Sequence, residues 1–166
     1  MALKVYCLTH GKTKEHGDTP DTYDADLTEE SVAKIQQLTI PAYDFALCGL
    51  MIRHKATAKA AGISQCEFTH FAGHDQVMFD IMWGMQEKAD EIWQYFQYLA
   101  QKFDGKSVLV ICSRFLPVLL KYYQNGGLQK YGPFKEFSQR IENNEIIDGI
   151  TMPLSGAITE VTIDVT

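Results

Sequence analysis

A histidine lies where the first buried strand of this chain is expected to end. Residues 3–8 form a short apolar run that predicts a β-strand, and His10 and Gly11 follow it after a single residue, Thr9. In open α/β sheets, ligands bind at the carboxyl ends of the strands. A histidine at that edge can act as a covalent nucleophile or carry a proton near neutral pH. His10 is therefore the first candidate catalytic residue.

Length, composition and charge restrict the function classes. A chain of 166 residues with 46% hydrophobic and 22% charged residues is expected to fold as a single domain over residues 1–166. Its formal net charge of -6 argues against nucleic-acid binding, which needs a basic face. A protein with a net negative charge can still contain a small basic pocket. A phosphorylated small molecule therefore stays a candidate ligand.

The cysteines and histidines show no metal-ligand pattern. Cys7, Cys48 and Cys112 lie in apolar strand-like runs, where we expect buried free thiols in a reducing compartment. His70 and His74 have the spacing of a helical metal site, but the sequence offers no third ligand and we expect a chance pair. We therefore expect no metal and no other cofactor.

The sequence also lacks a membrane signal. It has no secretory signal-peptide pattern near Met1 and no apolar run of membrane-spanning length. We expect a cytoplasmic protein that does not contact a membrane.

Strands and helices alternate along the chain, and this alternation indicates an α/β fold. We predict strands over residues 3–8, 44–49, 64–68, 107–112 and 157–163, and helices over residues 28–38, 51–61, 85–103 and 115–124. The period-two pattern of residues 157–163 is typical of an antiparallel edge strand. The expected architecture is a three-layer α/β/α sandwich with a mostly parallel central sheet.

Three segments carry no such element in this prediction. Residues 9–26 are polar and rich in turn-forming residues, and we expect a loop there. We assign no element to residues 69–84. Residues 129–144 are expected to be a loose, mobile insertion.

The order of these elements, together with short motifs, resembles the histidine phosphatase superfamily, also called phosphoglycerate-mutase-like. The family's first strand ends in Arg-His-Gly, where residues 9–11 read Thr-His-Gly. Residues 24–28 match the Asp-x-x-Leu-Thr start of its first helix, and residues 53–58 match its Arg-x-x-x-Thr-Ala pattern. A later strand of the family ends in Ser-His-Gly, where residues 112–114 read Cys-Ser-Arg. Residues 152–159 resemble the family's closing strand, so the resemblance covers nearly the whole chain.

The resemblance implies roles for four of these positions. In the family, the first-motif histidine attacks the phosphoryl group and forms a phosphohistidine, while two arginines and a second histidine bind the phosphoryl oxygens. By position, His10 matches the nucleophile and Arg53 matches the second arginine. Thr9 replaces the first arginine and Ser113 replaces the second histidine, so Thr9 and Ser113 are left to bind phosphate through hydroxyl groups.

Other nearby residues are candidates for the remaining roles. Arg114, next to Ser113, is a candidate replacement for a lost phosphate ligand, and Lys12 and His54 are further cations near the motifs. The family also has an acidic residue that protonates the leaving oxygen. Glu67 or Asp75 lies in the segment where the resemblance places that acid.

The replaced residues suggest a weakened phosphate site. Fixed positive donors supply much of the rate in phosphoryl transfer, and losing one such donor costs roughly 10²–10³ in rate. We predict a histidine phosphatase-like protein with a degraded phosphate pocket and weak or lost phosphatase activity. Its pocket would bind an anion or a phosphorylated ligand, either a small molecule or a phosphoprotein.

Two alternatives stay open. The first is an active phosphomonoesterase or mutase that forms phosphohistidine at His10 within a rearranged clamp. The second is a non-enzymatic interaction module, with an exposed apolar patch formed by residues 76–85 and 126–137.

Overall fold

One mixed sheet is the centre of the computed structural model, which describes residues 1–15, 17 and 24–165. Its strands are β1 (Ala2–Thr9), β2 (Phe45–Cys48), β3 (Glu67–Phe68), β4 (Ser107–Cys112) and β5 (Ile158–Asp164). They lie in the order β3-β2-β4-β1-β5. The first four strands are parallel, and β5 pairs with β1 in the antiparallel sense at the edge. The predicted mostly parallel sheet with an antiparallel edge strand is confirmed.

Helices cover both faces of this sheet. The described residues form α1 (Glu29–Gln36), α2 (Ile52–Ala60), α3 (Asp75–Met82), α4 (Gln86–Lys102), α5 (Phe115–Gln124), α6 (Gly127–Tyr131) and α7 (Phe134–Glu142). On one face, Leu109 and Ile111 of β4 pack with Ala58 of α2. On the other face, Val108 and Val110 pack into the cluster that includes the buried side chains of α4, α5 and α7. The three layers are those that the sequence predicts.

Local sequence explains where α1 begins. The Thr28 hydroxyl accepts a hydrogen bond from the Ser31 backbone N–H at 3.1 Å and so caps the helix. Glu29 and Glu30 occupy the first turn, where carboxylates interact favourably with the helix dipole.

Residues 129–144 differ from the prediction. They contain most of α6 and the whole of α7, and Phe134, Phe137 and Ile141 of α7 are buried in the larger core cluster. These three residues are spaced three and four apart, so they share one face of a helix. The expectation of a loose insertion is therefore wrong.

Smaller differences occur elsewhere. The predicted strand over residues 64–68 is reduced to the two residues of β3, and residues 69–84 contain α3. Part of the predicted loop, residues 16 and 18–23, lies outside the described residues. Among the helices that the structure describes, none has the length and apolar character needed to cross a lipid bilayer.

Candidate functional site

A cavity of about 480 Å³ lies where the carboxyl ends of the central strands meet. His10 follows β1, Arg53 lies in α2 after β2, and Ser113 and Arg114 follow β4, and all four residues line the cavity. Ligands bind at this edge of open α/β sheets. The fold therefore brings together four of the site residues proposed from the sequence.

The His10 ring has a defined hydrogen-bonding state. Its Nδ1 lies 2.8 Å from the carbonyl oxygen of Gly11, which can only accept a hydrogen bond. Nδ1 therefore carries the proton, and Nε2 holds a lone pair. Burial lowers the pKa of His10 to about 4, and the positive charges of Arg53 and Arg114 act in the same direction. The imidazole is consequently neutral at pH 7.

Backbone hydrogen bonds hold His10 between three segments. Its N–H donates to the carbonyl of Cys112 at 3.0 Å, and its carbonyl accepts from the N–H of Gly156 at 3.0 Å. The neighbouring Gly11 N–H donates to the Thr57 hydroxyl of α2, also at 3.0 Å. Hydrogen bonds to β4, α2 and the loop before β5 thus fix the backbone that carries the His10 ring.

Thr9 is placed differently from the sequence prediction. It is fully buried, its hydroxyl donates to the Leu154 carbonyl at 2.6 Å and accepts from the Ala157 N–H at 3.1 Å, and it is not among the residues that line the cavity. Its side chain is directed towards the loop before β5, because strand alternation turns Thr9 and His10 to opposite sides. The hydroxyl that was expected to contact phosphate is used by backbone groups instead.

Arg53 is held by two carboxylates. Its side chain is 2% exposed, and its guanidinium donates to both oxygens of Asp75, with the Nη1–Oδ2 distance at 3.3 Å. Nη1 also lies 3.2 Å from Oδ1 of Asp24. Asp24 in turn accepts a hydrogen bond from the Ile52 backbone N–H at the start of α2. The arginine expected to bind phosphate is therefore already bound to acidic side chains.

The two candidates for the proton donor occupy different environments. Asp75 begins α3, is 3% exposed and is the bidentate partner of Arg53, which occupies both of its oxygens. Glu67 lies on β3, is exposed, and is not among the residues that line the cavity. The structure thus brings Asp75 to the site as an ion-pair partner, and it does not bring Glu67 there.

His54 forms part of the support behind His10. The two rings meet edge to face, with their centroids 5.5 Å apart, and His54 is fully buried. Its Nδ1 accepts from the Met51 N–H at 3.3 Å. Burial lowers the pKa of His54 well below its ordinary value, so the ring is neutral rather than the cation that the sequence suggested.

Two glycines make room for the His54 ring. A Cβ atom added to Gly49 or to Gly73 would lie closer than 3.0 Å to ring atoms of His54. Any other residue at either position would displace the ring. This packing was missed from the sequence, where the two glycines are separated by α2 and β3 and carry no visible link to His54.

Other polar and charged side chains also line the cavity. Arg114 lines the cavity, and its Nε donates to the Pro153 carbonyl at 2.9 Å. Lys12 also lines the cavity. Ser113 is 5% exposed and reaches the same space. Glu142, at the end of α7, is an acidic residue in this lining that sequence reasoning did not identify.

His70 and His74 have different environments in the structure. His70 is exposed and packs against the ring of Phe71. His74 caps α3, since its Nδ1 accepts from the Gln76 N–H at 3.1 Å. Within the described ranges, no three acidic, histidine or cysteine side chains are grouped in a way that would hold a metal ion.

Comparisons with known proteins identify the fold. No protein-family model and no curated protein matches the chain. Among solved structures, the phosphoserine phosphatase of Entamoeba histolytica, in complex with 3-phosphoglyceric acid, is 13% identical with a TM-score of 0.61, and the alignment covers 95% of this chain and 89% of that one. The protein histidine phosphatase SixA, complexed with tungstate, is 20% identical with a TM-score of 0.52, covering 97% and 88%.

A third structure, the α-ribazole phosphatase of Shigella flexneri, is 13% identical with a TM-score of 0.56, and the alignment covers 75% of this chain and 80% of that one. The chain has the fold of the histidine phosphatase superfamily.

Proposed function

We propose that this protein binds a phosphorylated ligand beside His10 and hydrolyses phosphomonoesters weakly or not at all. The proposal rests on the fold, on the cavity at the carboxyl ends of β1 and β4, and on the neutral imidazole that lines it. An oxyanion that enters this cavity meets the side chains of His10, Ser113 and Arg114.

The observation that carries the weak-activity part is the state of Arg53. One guanidinium faces two carboxylates, Asp75 and Asp24, so this group of three side chains has no net positive charge to offer an anion. A phosphoryl group that takes over the Nη1 and Nη2 donors facing Asp75 has to displace a bidentate, buried carboxylate. Charge-assisted pairs of this kind are among the stronger hydrogen bonds in proteins, so such displacement costs binding energy.

The position of Thr9 adds to this weakness. Phosphoryl transfer depends on fixed positive donors around the reacting phosphorus. The hydroxyl of Thr9 is bound to backbone groups outside the cavity lining, and it contributes no donor there. Arg114 is then the arginine best placed to meet the ligand's charge, because its Nε is held by a neutral carbonyl rather than by a carboxylate.

Binding and turnover measured on the same sample test the proposal. Inorganic phosphate and tungstate would be titrated against the protein, and the shifts of the His10 ring followed by NMR. Phenyl phosphate turnover would be measured alongside, with His10→Ala as the inactive control and His70→Asn as the matched histidine control. We expect saturable oxyanion binding at His10 and a turnover far below the common range of about 1–10³ s⁻¹. Ordinary turnover abolished by His10→Ala, or no oxyanion binding at all, contradicts the proposal.

A second candidate function is a slow phosphomonoesterase, and Glu142 is the observation that favours it. In such a reaction, Nε2 of His10 bonds to phosphorus while the ester P–O bond breaks and the leaving oxygen takes a proton; water then hydrolyses the phosphohistidine. Glu142 lines the same cavity as His10, and partial burial raises the pKa of its carboxyl. A raised pKa favours the role of a proton donor to the leaving group.

Glu142→Gln separates the two candidates. If His10 and Glu142 act together, the substitution lowers phenyl phosphate turnover and leaves oxyanion binding in place. The matched control is Glu145→Gln, which changes an exposed carboxylate paired with Arg140. Equal turnover in the two variants would exclude Glu142 as the proton donor.

A further inference from the structure

The cavity is larger than a phosphate group needs, and its walls differ in character. Most of its lining residues are polar or charged, among them His10, Ser113 and Arg114, while Met78, Phe115, Met152 and Leu154 contribute apolar side chains. Its volume of about 480 Å³ lies in the range of pockets that hold organic ligands, roughly 300–1,000 Å³. The apolar side chains thus provide a surface for the organic part of a ligand.

Much of that apolar surface belongs to residues 152–155, which we call the strap segment. Met152, Leu154 and Ser155 of the strap line the cavity, and Leu154 is 75% exposed. The strap precedes β5 without forming a helix or strand of its own. Its position therefore depends on the hydrogen bonds that other segments make to it.

Two residues at the strand ends supply those bonds. The Thr9 hydroxyl donates to the Leu154 carbonyl at 2.6 Å, and the Arg114 Nε donates to the Pro153 carbonyl at 2.9 Å. The Thr9 oxygen also accepts from the N–H of Ala157, just beyond the strap. A threonine at this position thus ties the strap to β1, in the place where the sequence resemblance expects a phosphate-binding arginine.

We propose that the cavity selects phosphomonoesters whose organic group is apolar, aromatic or aliphatic, and that Thr9 is the positioning residue that holds the selecting wall. This inference rests on the proposed function and names its ligand class. An apolar group that packs on Met152 and Leu154 leaves water, and burying a group of phenyl size is strongly favourable. Lys12 and Glu142, which also line the cavity, carry opposite charges and give no net preference for a charged organic group.

Affinity for two phosphonates, which cannot be hydrolysed, tests this selection. Phenylphosphonate, 2,3-dihydroxypropylphosphonate and inorganic phosphate would each be titrated against the full chain by NMR. We expect phenylphosphonate to bind about tenfold or more tighter than the dihydroxypropyl compound, because only the phenyl group is stabilised by burial. Leu154→Asn should reduce this ratio several-fold, whereas Leu128→Asn, at an exposed leucine of α6 outside the cavity lining, should leave it unchanged.

Variants at Thr9 test its positioning role. Thr9→Val removes the hydroxyl while keeping the side-chain shape, and it should lower the phenylphosphonate preference with a smaller effect on phosphate. Thr9→Ser keeps the hydroxyl and should restore the preference. A loss of preference in Thr9→Val that Thr9→Ser does not restore would contradict the role of the hydroxyl.

The outcomes separate this inference from the proposed function. If phosphate binds and the two phosphonates bind equally, the ligand-class inference is wrong while the proposed function stands. If none of the three compounds binds, the proposed function fails and the inference fails with it.

Discussion

The guanidinium of Arg53 donates to both carboxylate oxygens of Asp75, and both side chains are buried. Arg53 lies in α2 and Asp75 begins α3, so the pair joins two helices that β3 separates along the chain. The same guanidinium contacts Asp24. Because Arg53 also lines the cavity, the pair links the stability of this region to the charge that the cavity presents.

The Arg53–Asp75 pair predicts a large loss of stability when one partner is removed. Asp75→Ala leaves a buried guanidinium without its bidentate partner, and breaking such a pair costs about 3–5 kcal/mol. The free energy of unfolding would be measured by urea titration. Asp80→Ala on the same helix is the control, since its carboxylate accepts one exposed hydrogen bond from Gln76, and its cost should stay below about 1 kcal/mol. Equal losses in the two variants would contradict the pairing.

The packing of His54 predicts coupling between a glycine and a histidine. Gly73→Ala places a methyl group on the His54 ring, and overpacking of this kind costs about 1–3 kcal/mol. In a His54→Ala background the methyl group enters the vacated space, so the same substitution should cost little. Unfolding free energies of the wild type, both single variants and the double variant complete the cycle. Strictly additive costs would show that the ring does not occupy the space between Gly49 and Gly73.

The depressed pKa of His10 predicts a stability that falls with acidification. The folded-state pKa of His10 is about 4, whereas an unperturbed histidine has a pKa of about 6.5. Between these values the unfolded chain binds more protons, so stability is lost as pH falls from about 6.5 to about 4. The contribution of His10 to this loss between pH 7 and pH 5 is about 2 kcal/mol.

His10→Asn is expected to remove that contribution, and unfolding free energies at pH 7 and pH 5 measure it. The pKa of His54 is also lowered by burial, and His54 remains in the variant. Part of the acid sensitivity should therefore persist. His70→Asn, at an exposed histidine, should follow the wild type. If the free energy of unfolding of His10→Asn depends on pH as strongly as that of the wild type, the burial of a neutral His10 is contradicted.

The sequence predicted the layers of the fold because its strands are short, apolar and regularly spaced. Residues 107–112 illustrate this, since the predicted strand is the observed β4. The sequence also placed His10 and Arg53 near one edge, because the ends of parallel strands meet there. Helix α7 was not predicted from the sequence because its apolar residues are few and lie among polar residues, although their spacing is helical.

The partners of the site residues were beyond sequence reasoning. The pairing of Arg53 with Asp75 depends on where α3 begins, and no element had been assigned to residues 69–84. Thr9 was expected to donate to phosphate, but a hydroxyl bonds to the nearest backbone group, and only the fold shows that Leu154 supplies it. Long-range contacts of this kind leave no local pattern in the chain.

The affinity for inorganic phosphate in wild type and Asp75→Asn is the most direct test of the central claim. Asparagine keeps the side-chain shape but removes the charge that holds Arg53. We predict that Asp75→Asn binds phosphate about tenfold or more tighter than the wild type, because a charged hydrogen-bonding partner is worth roughly 1.5–3 kcal/mol. Asp80→Asn should bind as the wild type does. Equal or weaker phosphate binding by Asp75→Asn would contradict the claim that Asp75 withholds Arg53 from the ligand.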